Sequence, residues 1–262
     1  MKIKFGEENN KDLFIEFKTD VKGLEKIQPP KKSSFYTPTW FREMSDHIER
    51  NPNHHGPPNA FGKVGKTAEK WHQATVKRCP AIVDYITQGF IIPMWCDYLI
   101  QIGETNTKGK DLLEWDNKNF PYGIEFHANE QLYNYPFKKN DFFEGVKFNN
   151  PWRIYTPEGY SVMFVAPYYQ HETRFTVLPG IVETDSYHHV NFPTIFHRRK
   201  DIFIDRGTPF IQVIPFKREK FNMNIETMSS EDIDNDKAEK LELNTKFKNA
   251  YRSITQRIKN NR

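Results

Sequence analysis

The chain has 262 residues, of which 15% are aromatic and 37% hydrophobic, with a mean hydropathy of −0.78. That length is too great for a disulfide-stapled mini-protein and predicts one globular domain with appendages. A formal charge of +4 comes from 38 basic and 34 acidic residues. Both signs are interspersed, so the charge does not mark a dedicated nucleic-acid binder. The two cysteines, Cys79 and Cys96, sit in no metal-binding spacing and read as free thiols of a reducing compartment, the cytoplasm. The opening MKIKFGEENNKDLF lacks the apolar core of a signal peptide. The most apolar stretches, Phe90–Trp95 and Tyr98–Ile102, are interrupted at Pro93 and Asp97 and are too short to span a membrane.

In chain order, alternation at Ile3 and Phe5, and again at Leu13, Ile15 and Phe17, predicts two short strands. IQPPKKSS, from Ile27 to Ser34, reads as a linker. Thr39 is placed to cap a helix through TWFREMSDHIER, with Trp40, Met44 and Ile48 on one face. Asn51–Lys63 is dense in proline and glycine and predicts an irregular loop, followed by a short helix over Lys66–Lys77. CPAIVDYITQG, from Cys79 to Gly89, predicts a helix with Gly89 as its C-terminal cap.

A β region starts at Phe90 with FIIPMWCDYLIQIG. Further strands are predicted at Gly123–Phe126, Trp152–Thr156, Ser161–Ala166, Thr176–Val182, His189–Phe192, Ile202–Ile204 and Phe210–Phe216. Turn signals at TPEGY, LPG and DRGTP separate some of them, and prolines recur near their ends. Short strands without a βαβ rhythm predict a mainly β fold with peripheral helices. Its core is a rolled sheet of β-clip or of jelly-roll or cupin-like type. From Ser229 the chain loses proline and glycine, acids precede bases, and Leu243, Phe247, Ala250, Ile254 and Ile258 recur at helical spacing. The expected organisation is a wrapping segment at 1–89, a β core at 90–220 and a helical tail at 221–262.

Four segments carry a resemblance: KRCPAIVDYITQGFIIPMWCDYLI, NNPWRIYTPEGYSVMFVAPYY, LPGIVETDSYHHVNFP and RGTPFIQVIPFKRE. Over about residues 77–220 the chain resembles an uncharacterised family of marine tailed-phage and bacterial proteins. That resemblance implies an accessory or virion-associated protein in the host cytoplasm or the virion, acting by binding.

GIVETDSYHHVNFP followed by FIDRGTPFIQVIP is more distantly similar to the central pattern of the dUTPase and dCTP deaminase superfamily. Gly180 matches its turn glycine, Tyr187 its tyrosine, Gly207 its later glycine and Gln212 its glutamine. Glu183 stands where that superfamily has a catalytic aspartate, and no phosphate-binding Arg-Ser-Ser segment or Gly-rich C-terminal arm is present. This resemblance implies a β-clip trimer with shared sites, binding or hydrolysing a nucleotide held through magnesium. Glu183 or Asp185 would orient a water, Tyr187 would stack, and His188 would lie beside them near Gln212.

A third reading is a non-haem iron oxygenase on a cupin-like barrel, with two of His127, His171, His188 and His189 as ligands to iron; zinc is the other metal such residues hold. Asp185 followed by Ser186 is also ordinary turn chemistry. The rings of Tyr122, Phe126, Tyr168 and Tyr169 are candidates for stacking on bases or sugars. HRRK at 197–200 reads as a solvated hairpin tip. Cys79 before Pro80 lacks an evident partner base, and no phosphate-loop, Rossmann or nucleophile-elbow motif occurs.

Overall fold

The computed structural model describes residues 13–49, 72–103, 112–127, 129–142, 144–197 and 200–245. The early elements are β1 (Glu16–Thr19), α1 (Leu24–Ile27), β2 (Lys31–Lys32), α2 (Thr39–Glu43), β3 (His47–Glu49), β4 (His72–Ala74) and α3 (Pro80–Thr87). Next come β5 (Phe90–Pro93), β6 (Tyr98–Gly103), β7 (Leu112–Asp116), β8 (Ile124–Phe126), β9 (Val146–Phe148), β10 (Trp152–Tyr155) and β11 (Tyr160–Val165). The last are β12 (Phe175–Val177), β13 (Gly180–Val182), β14 (Phe192–Phe196), β15 (Ile202–Ile204), β16 (Pro209–Lys217) and α4 (Ser230–Thr245). The fold is mainly β with peripheral helices, as the strand pattern predicts.

Every strand pairing among the described residues is antiparallel. The largest sheet runs β13-β11-β16-β5-β2, a second β12-β14-β9-β8 and a third β15-β6-β7, with β1-β10 and β3-β4 as separate pairs. The chain divides into two compact units, 1–218 and 219–262. The described part of the second is a segment without regular secondary structure leading into α4. Ser229 caps that helix: its hydroxyl accepts from the Asp232 N–H at 3.2 Å, and the Asp232 carboxylate accepts from the Ser229 N–H at 3.0 Å.

The core of the first unit is one aromatic cluster. Phe210 sits at its centre, with ring centroids 5.1 Å from Phe148, 5.7 Å from Phe175 and 5.8 Å from both Trp95 and Phe192. These are edge-on contacts, the arrangement the ring quadrupoles favour. The register of β16 against β5 shifts between Pro209 and Ile211. A shift of this kind lets consecutive residues share a face, and both Phe210 and Ile211 are buried in the core. Normal alternation then resumes, so Ile211 and Val213 point inward and Gln212 points to the opposite face of the sheet.

Several local expectations are corrected. Lys31 and Lys32, expected in a linker, pair with Ile91 and Phe90 as an edge strand. The helix from Thr39 stops at Glu43, and His47–Glu49 is a strand because β4 supplies its ladder partners. The end of the helix expected over Lys66–Lys77 is instead β4 and a 3-10 turn; its earlier part, the loop before it and the Ile3–Phe5 strand lie outside the described residues. The run Thr176–Val182 splits into β12 and β13 of two different sheets. At His189–Phe192 only an isolated bridge from His189 to Arg153 forms before β14 begins. α3 ends as expected, with Gly89 just beyond it at φ 68°.

Candidate functional site

The Glu183–His189 turn is the first place to test for chemistry. It follows β13 and closes on itself: the Ser186 and Tyr187 N–H groups both donate to the Glu183 carbonyl, at 3.0 and 2.9 Å. Asp185 is 7% exposed at its side chain and is clamped by Arg218 through both guanidinium Nη atoms. It also accepts from the Gly159 N–H at 2.9 Å and from the Ser186 hydroxyl at 3.3 Å. The Arg218 hydrogen bonds hold its carboxyl well below the usual range, at about 2. Asp185 is therefore a charged tie at neutral pH, with both carboxylate oxygens engaged.

Glu183 is 65% exposed, with an oxygen 4.0 Å from Arg218. Tyr187 is exposed. His188 Nδ1 lies 3.0 Å from the Thr184 carbonyl and 3.2 Å from that of Ile154. Both partners are acceptors, so this nitrogen carries a proton. The His188 ring lies on Tyr155, with centroids 4.0 Å apart.

Gln212 is not at this turn. Val182 pairs with Val162, and the next residue of β11, Ser161, pairs with Phe216. Gln212 pairs with Val165, four residues further along β16, or about 13 Å at strand rise.

The candidate metal ligands are likewise dispersed. His127 Nδ1 lies 2.8 Å from the Gln131 amide oxygen. His171 sits in a left-handed turn, its ring against Trp40 and Tyr168. His189 Nε2 accepts from Arg153 Nε at 3.1 Å. Among the described residues no three His, Cys, Asp or Glu side chains are placed to share a metal ion. The iron or zinc site drawn from these four histidines is therefore not assembled among the described residues.

What the fold does assemble lies on the outward side of the five-stranded sheet. The 3-10 turn Tyr168–Gln170 leaves β11, while α2 and the turn before it come from far upstream. Together with α3 they border a shallow, open groove lined by Tyr36, Tyr85, Tyr168, Tyr169, Gln170 and Gln212 together with prolines and isoleucines. Tyr169 meets Tyr85 edge-on at 5.5 Å and Tyr168 at 5.2 Å. Trp40 flanks them and donates its indole N–H to the Tyr169 carbonyl at 3.0 Å.

Gln212, 2% exposed, forms part of the floor. Its amide nitrogen donates to the Tyr85 and Gln88 carbonyls, both at 2.9 Å. Two acceptors on that side fix the amide orientation, because a flipped amide would oppose oxygen to oxygen. Among the described residues no donor reaches Gln212 Oε1, which is left for the cleft.

A second polar arrangement escapes sequence reading. His197 Nδ1 lies 2.9 Å from an oxygen of Asp141, and its Nε2 lies 2.6 Å from the Thr176 hydroxyl. Asp141 and His197 are 56 residues apart and share no motif. Both cysteines are free, and burial pushes the Cys96 thiol up to about 12, so it is a protonated structural thiol. Cys79 is the N-terminal cap residue of α3, without a side-chain capping bond. No helix among the described residues is long and apolar enough to cross a membrane. Neither a protein-family profile nor a curated protein sequence matches this chain.

Proposed function

We propose that this protein binds a flat or puckered ring ligand in the Tyr85–Tyr168–Tyr169 cleft, reading one N–H or O–H donor on its edge through Gln212 Oε1. The observation that carries this reading is the near-total burial of Gln212, with both amide N–H groups committed to carbonyls and its oxygen left over. That oxygen opens on the cleft and keeps its acceptor capacity for a ligand donor. The surrounding ring faces and edges supply the rest of the contact.

Two ligand sources share this chemistry: a nucleobase and a pyranose. The lining carries no charged side chain, so a phosphate tail held by magnesium gains nothing from these walls. Nucleosides are accordingly expected to bind as well as nucleotides. The reading supports a binding role of the accessory kind expected from the sequence.

The test is titration of ¹⁵N-labelled protein with nucleosides and, separately, with methyl glycosides, following the Trp40 indole N–H. A saturable shift with one series, lost in Tyr168→Ala, is the expected result and identifies the source. Tyr168 is 69% exposed, so its removal leaves the fold intact. Absence of a shift with both series refutes the reading.

A further inference from the structure

The structure assigns a second and independent activity to the relay Asp141–His197–Thr176: we propose that Thr176 is a nucleophilic hydroxyl that accepts an acyl group from an activated ester. This goes beyond ring binding in the cleft and stands without it.

The geometry is that of an activated alcohol. Asp141 is 5% exposed and accepts from the Lys138 N–H at 2.8 Å through one oxygen and from His197 Nδ1 at 2.9 Å through the other. The Phe142 N–H donates to the Phe196 carbonyl at 2.8 Å, which holds the Asp141 segment against the residue before His197. A carboxylate on Nδ1 keeps the proton there, so Nε2 presents a lone pair. That lone pair faces the Thr176 Oγ1 at 2.6 Å, within the range for a base and its nucleophile.

Strand geometry explains why these side chains meet. Thr176 pairs with Ile195 across β12 and β14, so His197 is its diagonal neighbour. The His197 N–H donates to the Arg174 carbonyl and the Leu178 N–H to the Pro193 carbonyl. Residues 174, 176 and 178 therefore face β14 with their hydrogen-bonding groups. The alternation turns the Val177 N–H, next to Thr176, toward the other edge of β12, which no strand covers among the described residues. Thr176 itself is exposed, so an acyl donor reaches it.

In the step, Thr176 Oγ1 bonds to the acyl carbon while its proton passes to His197 Nε2. The tetrahedral intermediate collapses with cleavage of the bond to the leaving oxygen, which takes that proton from His197. The products are an O-acyl threonine and a free alcohol or phenol, with no oxidant or reductant involved. Asp141 is the positioning residue.

The experiment incubates the full chain with p-nitrophenyl acetate and maps acetyl groups by tandem mass spectrometry. The expected result is a hydroxylamine-labile acetyl ester on Thr176. It should persist in Thr176→Ser, and fall roughly 100-fold in His197→Gly with recovery when imidazole is added. Thr176→Val, isosteric and exposed, serves as the folded control without the label. In ¹⁵N spectra of the imidazole, His197 should carry its neutral-form proton on Nδ1, and Asp141→Asn should move it to Nε2. An unlabelled Thr176, or labelling that is unchanged in folded His197→Gly, overturns the proposal.

Discussion

The Asp185 carboxylate and the Arg218 guanidinium, 33 residues apart in the chain, form a two-armed ion pair that ties the turn after β13 to the end of β16. Arg218 also donates to the Tyr160 carbonyl at 2.9 Å, so one side chain fastens three segments. The lowered pKa of Asp185, about 2 against an ordinary 3.8, gives the tie a pH signature. A group with a depressed folded value stabilises above its unfolded value and loses that contribution as pH falls through the folded one. Thermal melts of wild type and Asp185→Asn should differ at neutral pH, with wild type more stable, and converge between about pH 4 and pH 2. Parallel curves across that window would show the pair to be energetically silent.

Gln212→Leu tests the floor of the cleft. The leucine fills similar space but removes one of two donors from each of the Tyr85 and Gln88 carbonyls, which keep the Gln88 N–H at 3.3 Å and the Ser33 hydroxyl at 2.7 Å. The expected loss is about 1–2 kcal/mol in denaturant unfolding. A neutral outcome would mean that the Gln88 N–H and the Ser33 hydroxyl suffice for the two carbonyls.

Phe210→Ala removes the ring at the centre of the aromatic core, where Trp95, Phe148, Phe175 and Phe192 all touch it. A loss of about 3–5 kcal/mol is expected, read from the urea midpoint at unchanged m-value.

Gly89→Ala is expected to be among the most damaging single-methyl additions. Gly89 has φ 68°, and a Cβ there would stand 2.1 Å from the Val213 carbonyl oxygen. That oxygen belongs to the central strand β16, whose Val213 pairs with Phe90. The backbone cannot yield without opening the sheet, so destabilisation of at least about 3 kcal/mol should follow, measured by chemical denaturation.

Cys96 should resist iodoacetamide in the native protein at pH 8 and react once unfolded. Its thiol, raised to about 12 by burial, has a negligible thiolate fraction at that pH. Rapid native alkylation at Cys96, read by mass spectrometry, would contradict the burial.

Local signals carried much of the architecture. The helix at Cys79–Gly89 is readable because proline starts it and glycine follows its end, both effects of backbone conformation alone. Strands β6, β10, β11 and β16 lie where β-branched and aromatic residues alternate between turn residues. Strands β2 and β3 could not be read, since two lysines or the sequence His-Ile-Glu become strand only when a partner supplies a ladder.

Sequence alone determined that this is a mainly β protein with peripheral helices, because strand periodicity and turn chemistry are properties of neighbouring residues. It also marked Gln212, Tyr168 and Tyr169 as residues with chemistry to offer. Only the tertiary structure decided their company. Gln212 stands with Tyr85 and Tyr169 rather than with Glu183 and Tyr187, because a register shift at Phe210 sets which face of β16 it occupies. The meeting of Thr176, His197 and Asp141 has the same origin: a diagonal across two strands and a hydrogen bond from Phe142 to Phe196 place them, and neither is written in any local run of residues.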